Sequence, residues 1–397
     1  MSDDPARLHP KSRLIHGGRP GAKSAGPVNP PIVRASTILH RTVADMRRAE
    51  AERATGHRVQ AYGRRGTDTG FALEDALIDL EGGHGARLTA SGLAANALVF
   101  LSYLRPGDHV AISDGVYGPV RRFARSFLTS YGIAFDFFSA DGSNLESVLR
   151  PQTKLAYLEC PGSSLFEIAD LPKLTSVARA RGITVAVDST WGSGWTYHPL
   201  ALGADVSILS ATKYLAGHSD VLLGAVVANA TAWPALDAMA ELTGAACSPE
   251  DAYLVLRGIR TLGVRLSEHE RNARTLCDWF AAQSWAKRVY FPPRENDQGY
   301  ALWRRDFSGA CGLFSVEFEA SAEPAVEVFL DRLSLFGLGS SWGGFESLAR
   351  PEPWATLRSV SPNPAGPLVR FHAGLEDAAD LIADLQAAAA AAFVEAG

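Results

Sequence analysis

The amino-acid sequence predicts an α/β fold: a mostly parallel central sheet with helices on both faces, plus a smaller C-terminal α/β domain. Three observations carry this expectation. Five short apolar runs, His109 to Ser113, Leu155 to Glu159, Ile183 to Val187, Val206 to Leu209 and Gly224 to Ala228, alternate with helix-period stretches from Phe71 onward. Apolar runs of strand length separated by helical segments belong to a parallel sheet covered on both faces. The 397 residues are 47% apolar and 20% charged, which suffices for a large packed core and excludes disorder as the main state. No internal repeat is present, and long single-sign charge runs are absent.

Residues 1–60 read as an N-terminal arm. Gly17-Gly18, Pro20-Gly21 and Val28-Asn29-Pro30-Pro31 leave little room for regular structure before a helix near Thr42 to Thr55. Such an arm has no core of its own and is expected to pack on a neighbouring subunit. Residues 61–250 are expected to form the main domain. Within them, the uncharged stretch Leu88 to Leu104 is too short for a membrane span and contains Thr89, Ser91, Gly92, Asn96 and Ser102. It reads as a turn feeding a buried helix. Ser248-Pro249-Glu250-Asp251 opens a further helix, with Ser248 as N-cap, proline at the first helical position and acids in the first turn. That helix is expected to run toward Gln283. A strand at Gly312 to Glu319, a helix at Ala322 to Leu333, a strand at Leu368 to His372 and an Ala-rich terminal helix complete a smaller domain over residues 251–397.

Thirty-eight basic and forty-three acidic side chains give a formal charge of −5, which points away from nucleic acid and toward small-molecule chemistry. The four cysteines, Cys160, Cys247, Cys277 and Cys311, form no C-x-x-C pair, so neither a disulfide framework nor a zinc site is expected. Met1 to Arg19 is polar and of mixed charge, unlike a secretory leader. A cytoplasmic protein without membrane or nucleic-acid partners is the expectation.

The segment richest in chemistry runs from Asp205 to Ser219. Its apolar strand delivers Ser210, Thr212 and Lys213 to a carboxyl end, where ligands of such sheets bind. Lys213 is the candidate Schiff-base lysine; alone it would read as a surface lysine. The strand Ile183 to Val187 ends in Asp188, a carboxylate able to pair with a protonated pyridine nitrogen, although by itself Asp188 reads as a helix N-cap. Together the two strands point to pyridoxal 5'-phosphate (PLP). Ala90-Ser91-Gly92-Leu93 opens a helix with small residues, whose backbone N–H groups suit a phosphate. Tyr117, in a loop after a strand, reads either as a ring stacked on the pyridine face or as a packed loop tyrosine.

With these motifs in place, the chain from about Leu14 to Leu385 resembles the Cys/Met-metabolism family of PLP-dependent enzymes. The lysine segment matches the family signature, and Val28 to Pro31, Tyr62-Gly63-Arg64-Arg65-Gly66-Thr67, Ser341-Trp342-Gly343-Gly344 and Arg370 to Asp377 follow in the family's order. The resemblance implies the fold-type I PLP-dependent transferase architecture, with residues 61–250 as the PLP-binding domain. It also implies that Tyr62 and Arg64 reach the cofactor phosphate from the neighbouring subunit, in a homodimer or homotetramer with shared active sites. By position, Gly92, Leu93, Ser210 and Thr212 hold the phosphate, Tyr117 and Asp188 the ring, and Arg370 clamps the substrate carboxylate, with Arg65, Ser341 and Trp342 around it. An arginine suits a bidentate carboxylate pair. On an apolar strand, however, Arg370 also needs an anionic partner.

The implied activity is that of a carbon–sulfur β-lyase acting on an amino-acid thioether, with a γ-synthase, γ-lyase or methionine γ-lyase as the alternative. Ser341-Trp342-Gly343-Gly344 favours β-elimination. An aminotransferase and a PLP-binding regulatory protein are rivals from other classes. Ser340 stands where a tyrosine is expected, Arg122 where a carboxylate is common and Glu241 where an aromatic is common. These departures bear on the substrate, and Arg65, Arg122 and Glu241 are expected to share one pocket.

Overall fold

The alanine- and valine-rich runs form strands because their side chains can be buried on both faces of a covered sheet. The computed structural model describes residues 8–19 and 25–393, so the Pro20-Gly21 breaker lies outside the described residues. Seven strands make the first sheet: β1 (Gly85–Thr89), β2 (His109–Ser113), β3 (Ala134–Phe138), β4 (Thr153–Glu159), β5 (Thr184–Asp188), β6 (Val206–Ser210) and β7 (Gly224–Ala228). Their spatial order is β1-β7-β6-β5-β4-β2-β3. β2 to β6 run parallel, whereas β7 lies antiparallel to both β6 and β1. All five predicted runs are strands. β1 and β3 add to them; β3 is a half-exposed edge strand, Ala-Phe-Asp-Phe-Phe, with no clean alternation to announce it.

The stretch after β1 folds as expected. Ser91 caps the helix Gly92–Tyr103 by accepting the Ala94 N–H at 3.2 Å, and Ala95, Leu98, Val99 and Phe100 of that helix are buried against the sheet. The helix Val43–Ala54 also matches expectation, with Thr42 accepting the Asp45 N–H at 3.0 Å. The arm holds more regular structure than its glycines and prolines suggest. A helix at Pro10–His16 buries Leu14 in this chain's own core, and Val33 N–H donates to Thr69 Oγ1 at 2.8 Å. These parts of the arm therefore pack on their own chain.

The long helix expected from Ser248 to Gln283 is two helices, Pro249–Ile259 and Leu262–Ala281. The break lies at Arg260-Thr261, because the Gly258 carbonyl accepts from Thr261 N–H at 3.1 Å and from Arg265 Nη2 at 2.8 Å, a tighter turn than an α-helix makes. Arg260 Nη1 meanwhile donates to the Leu14 and Gly17 carbonyls, both at 2.7 Å. Long-range contacts set the break, and residue spacing does not reveal them.

The second sheet has the order β10-β11-β12-β9-β8, built from β8 (Ala286–Tyr290), β9 (Leu313–Phe318), β10 (Gly337–Leu338), β11 (Leu348–Glu352) and β12 (Leu368–His372). β9 and β12 are the two expected strands. The helices Glu323–Asp331 and Ala378–Ala392 also lie where expected. Buried residues of both sheets belong to one continuous cluster, which includes Leu73, Leu158, Leu209, Phe314 and Phe371. No helix among the described residues is long and apolar enough to cross a membrane.

Close approach of backbones makes Gly224 of β7 irreplaceable. A Cβ there would lie 2.2 Å from the Ser91 carbonyl oxygen and 2.5 Å from Thr89 Oγ1. Gly224→Ala is expected to destabilise the protein by about 1–3 kcal/mol through overpacking, measured by urea denaturation. An unchanged midpoint would show that the Ser91 turn can yield.

Candidate active site

Lys213, Asp188, Ser210 and Thr212 come together because β5 and β6 are parallel neighbours that end on the same side of the sheet. They line a cavity of about 230 Å³ with Gly92, Leu93, Asn96, Tyr117, Glu159, Ser340, Trp342 and Arg370. Parallel sheets place their sites beyond the carboxyl ends of strands, and this cavity lies there.

On one wall, Lys213 Nζ donates to Ser341 Oγ at 2.7 Å and sits 5.2 Å from the centre of the Trp342 ring. Burial and the nearby Arg370 charge hold its amine down to about 8, against the raising effect of Asp188. The indole leans on Tyr214 at 5.4 Å, and the backbone at Gly343 has φ +88°, where a Cβ would strike the Tyr214 nitrogen at 2.8 Å. The Gly343 N–H donates to His372 Nε2 at 3.1 Å, which ties the Trp342 loop to β12.

At the floor, burial pushes the Asp188 carboxyl up from the usual carboxylate range, opposed by hydrogen bonds from Thr190 and Asn96 and by the Lys213 charge. Thr190 N–H donates to Asp188 Oδ1 at 3.1 Å, while Thr190 Oγ1 accepts the Ser210 N–H at 2.9 Å. Asn96 Nδ2 reaches Asp188 Oδ2 at 3.4 Å, with its amide oxygen held by the Tyr157 hydroxyl at 2.6 Å. Glu159, the register partner of Asp188 on β4, accepts the Tyr117 backbone N–H at 2.6 Å. Burial, with Asp188 alongside, pushes its carboxyl well above the usual range.

Asn96, Thr190 and Glu159 were absent from the sequence-based set. Glu159 carries the same signal as Asp188, a buried apolar run ending in a carboxylate. Asn96 lies one helical turn beyond Gly92, a spacing that puts both on one helix face.

Arg370 of β12 finds its anionic partner in Glu352. Its Nη1 lies 3.5 Å from Glu352 Oε1, and its Nη2 donates to the Ser340 and Ser341 carbonyls at 3.3 and 3.4 Å. Burial lowers the guanidinium pKa and Glu352 raises it.

Tyr62, Arg64 and Arg65 lie elsewhere in this chain. Tyr62 is 45% exposed, with the Arg64 guanidinium 5.8 Å from its ring centre. Arg64 and Arg65 line a second cavity of about 440 Å³ together with Glu241. There Glu241 pairs with Arg53 at 2.7 Å and Arg65 at 3.1 Å, whereas Arg64 makes no ion pair among the described residues. The expected grouping of Arg65, Arg122 and Glu241 does not form within one chain: Arg122 is exposed and lines neither cavity.

The donor set suits a phosphorylated ring. Ser91 satisfies the Ala94 N–H and leaves the Gly92 and Leu93 N–H groups without hydrogen-bond partners among the described residues. Gly92 itself keeps the space open, since a Cβ there would lie 2.6 Å from Ser210 Oγ. The buried Asp188 carboxylate can receive a cation, and Lys213 supplies an amine near neutrality. No group of side chains able to hold a metal ion occurs among the described residues.

The model of the Cys/Met metabolism PLP-dependent enzymes matches residues 11–390. The chain belongs to this family. Its cofactor is PLP, and the residues above fit it. Among its relatives is a cystathionine β-lyase of Bordetella avium, 43% identical over 398 residues that cover 97% of this chain and 98% of that one. The cystathionine β-lyase of Escherichia coli is 38% identical, covering 95% and 97%. A solved structure titled cystathionine γ-synthase from Xanthomonas oryzae, in complex with cystathionine, superposes with a TM-score of 0.87 at 32% identity, covering 97% and 99%.

The depressed Lys213 pKa has a consequence for the cofactor-free protein. Its folded amine titrates at about 8 and a free lysine at 10.5, so between these values the unfolded chain binds a proton that the folded chain does not. Stability should therefore rise with pH across that window. Lys213→Met should lack this increment; identical stability profiles for the two proteins between pH 8 and 10.5 would place Lys213 in solvent.

Proposed function

We propose that the chain is a PLP-dependent carbon–sulfur β-lyase that converts L-cystathionine, or a related S-substituted cysteine, and water into a thiol (homocysteine), pyruvate and ammonia. The observation that carries this reading is Trp342, whose ring centre lies 5.2 Å from Lys213 Nζ in the cavity of about 230 Å³ that Arg370 also lines, on a chain whose relatives include cystathionine β-lyases.

Bound PLP supplies a ring that accepts electrons from the substrate Cα. Lys213 removes the Cα proton, and its low pKa supports a neutral amine at the working pH. Arg370 binds the α-carboxylate with the donors that Glu352 leaves free. Asp188 balances the charge of the ring nitrogen, with Asn96 and Thr190 orienting it. Tyr117 covers the ring, and Gly92, Leu93, Ser210 and Thr212 hold the phosphate. Ser341 steers the Lys213 amine through their hydrogen bond. The Trp342 indole narrows the space beside the carboxylate clamp. β-Elimination needs one proton taken at Cα, whereas γ-elimination also needs one taken at Cβ with a longer chain in a second pose.

The reading includes a homodimer, and by extension a homotetramer, in which Tyr62 and Arg64 complete the neighbouring subunit's phosphate site. Support comes from Arg64, which makes no ion pair among the described residues while Arg53 and Arg65 of the same cavity do. Arg65 and Glu241 would then stand at the rim of the partner's site, bearing on the distal end of the thioether. A 61–250 cofactor domain followed by a 251–397 domain, in the cytoplasm, completes the proposal.

Purified protein given cystathionine should release homocysteine and pyruvate. Cysteine with 2-oxobutyrate as the main products would favour the γ-lyase reading.

Mixing inactive Lys213→Ala and inactive Arg64→Ala proteins should restore activity in hybrid dimers, since one of the two sites regains both groups. No recovery under verified subunit exchange would place Arg64 in its own subunit's site.

A further inference from the structure

A segment of the smaller domain crosses back onto the larger one between β11 and β12. Residues Arg358 to Ser361 of this strap converge on Asp114, which is fully buried at the end of β2. The carboxylate accepts the Ser359 N–H at 2.8 and 2.9 Å, the Ser359 hydroxyl at 2.8 Å, the Val360 N–H at 2.7 Å and the Ser361 N–H at 2.8 Å. Arg121 Nη1 adds a charged bond at 2.7 Å. Burial raises the Asp114 pKa, yet these donors outweigh it and hold the carboxyl down to about 2.

The same strap grips a second loop of the cavity wall. Arg358 lays its fork on Glu167 at 2.6 and 2.8 Å and donates to the Ser163 carbonyl at 2.7 Å. Ser163 N–H in turn donates to the Gly115 carbonyl at 2.6 Å, next to Asp114. Asp114 lies three residues before Tyr117, and beyond Ser361 the strap leads directly into β12, which carries Arg370. Tyr117, Ser163 and Arg370 all line the cavity.

We propose that Asp114 is a positioning residue for the reaction: it locks the strap to the turn carrying Tyr117, and so fixes the spacing between Tyr117 and the carboxylate clamp at Arg370. The inference rests on the reading of this cavity as an amino-acid site. Asparagine at 114 would keep one acceptor oxygen and turn an NH₂ group toward the strap's N–H donors, so the strap would lose much of its hold without any change in the groups that line the cavity.

The test uses holoenzyme and L-alanine, which has the α-carboxylate but no leaving group, with binding read from the absorption of the bound cofactor. Asp114→Asn should bind L-alanine about tenfold more weakly and raise KM for the thioether by a similar factor, with kcat falling less than about threefold. Arg358→Gln should move affinity in the same direction, and it carries the test if Asp114→Asn does not fold. Folded, cofactor-loaded variants with unchanged L-alanine affinity, or with a loss confined to kcat, overturn the proposal even if their melting temperature drops. A wild-type enzyme that binds L-alanine but forms no pyruvate from thioethers would overturn the lyase reading alone.

Discussion

The Asp188 carboxylate, 7% exposed at the end of β5, has little water to solvate it. A buried charge of this kind is tolerated only when hydrogen-bonded and supplied with a counter-charge. The surrounding structure supplies the hydrogen bonds, and the Lys213 charge acts on the carboxylate without contact. Thr190 folds back two residues to bond it, and Asn96 is turned toward it because the Tyr157 hydroxyl occupies the amide oxygen. Thr190 also takes the Ser210 N–H, which couples the position of β5 to the strand that delivers Lys213. Asp188, Lys213 and the open N-terminus at Gly92 are therefore placed by one connected network at the carboxyl ends of central strands.

Arg370 presents the complementary problem on β12. The register of β11 and β12 sets Arg350 directly opposite Arg370, and like charges so placed repel. Glu352 relieves this by lying between them, 4.0 Å from Arg350 Nε and 3.5 Å from Arg370 Nη1. The guanidinium is neutralised enough to remain buried, yet its carbonyl contacts are long, so it retains donors for an incoming carboxylate. Because Arg370 belongs to the smaller sheet and Tyr117 to a loop of the larger one, their relative position depends on the contacts between the two, among them the strap at Asp114.

Much of this was readable from residues in series. Apolar runs of strand length marked β2, β4, β5, β6 and β7, capping chemistry marked the start of the helix at Pro249, and breakers or small residues marked those at Val43 and Gly92, since all these signals are local. The terminal polar residues of those runs, Asp188 with Ser210, Thr212 and Lys213, were legible for the same reason: a parallel strand exposes its last residues to a ligand. Family motifs added Tyr62, Arg64, Trp342 and Arg370, whose sequence surroundings alone say little.

What the tertiary structure decided lies where distant residues satisfy one another. The helix break at Arg260-Thr261 follows from bonds to Leu14, Gly17 and Arg265, the identity of Arg370's partner from strand register, and the separation of Arg122 from Arg65 and Glu241 from its exposed position outside their cavity. Glu159 ended a recognised strand, but its tie to Tyr117 spans 42 residues. Periodicity and propensity describe a residue's neighbours along the chain. Burial of charge is a constraint on neighbours in space, and for this protein it was settled only once the two sheets met.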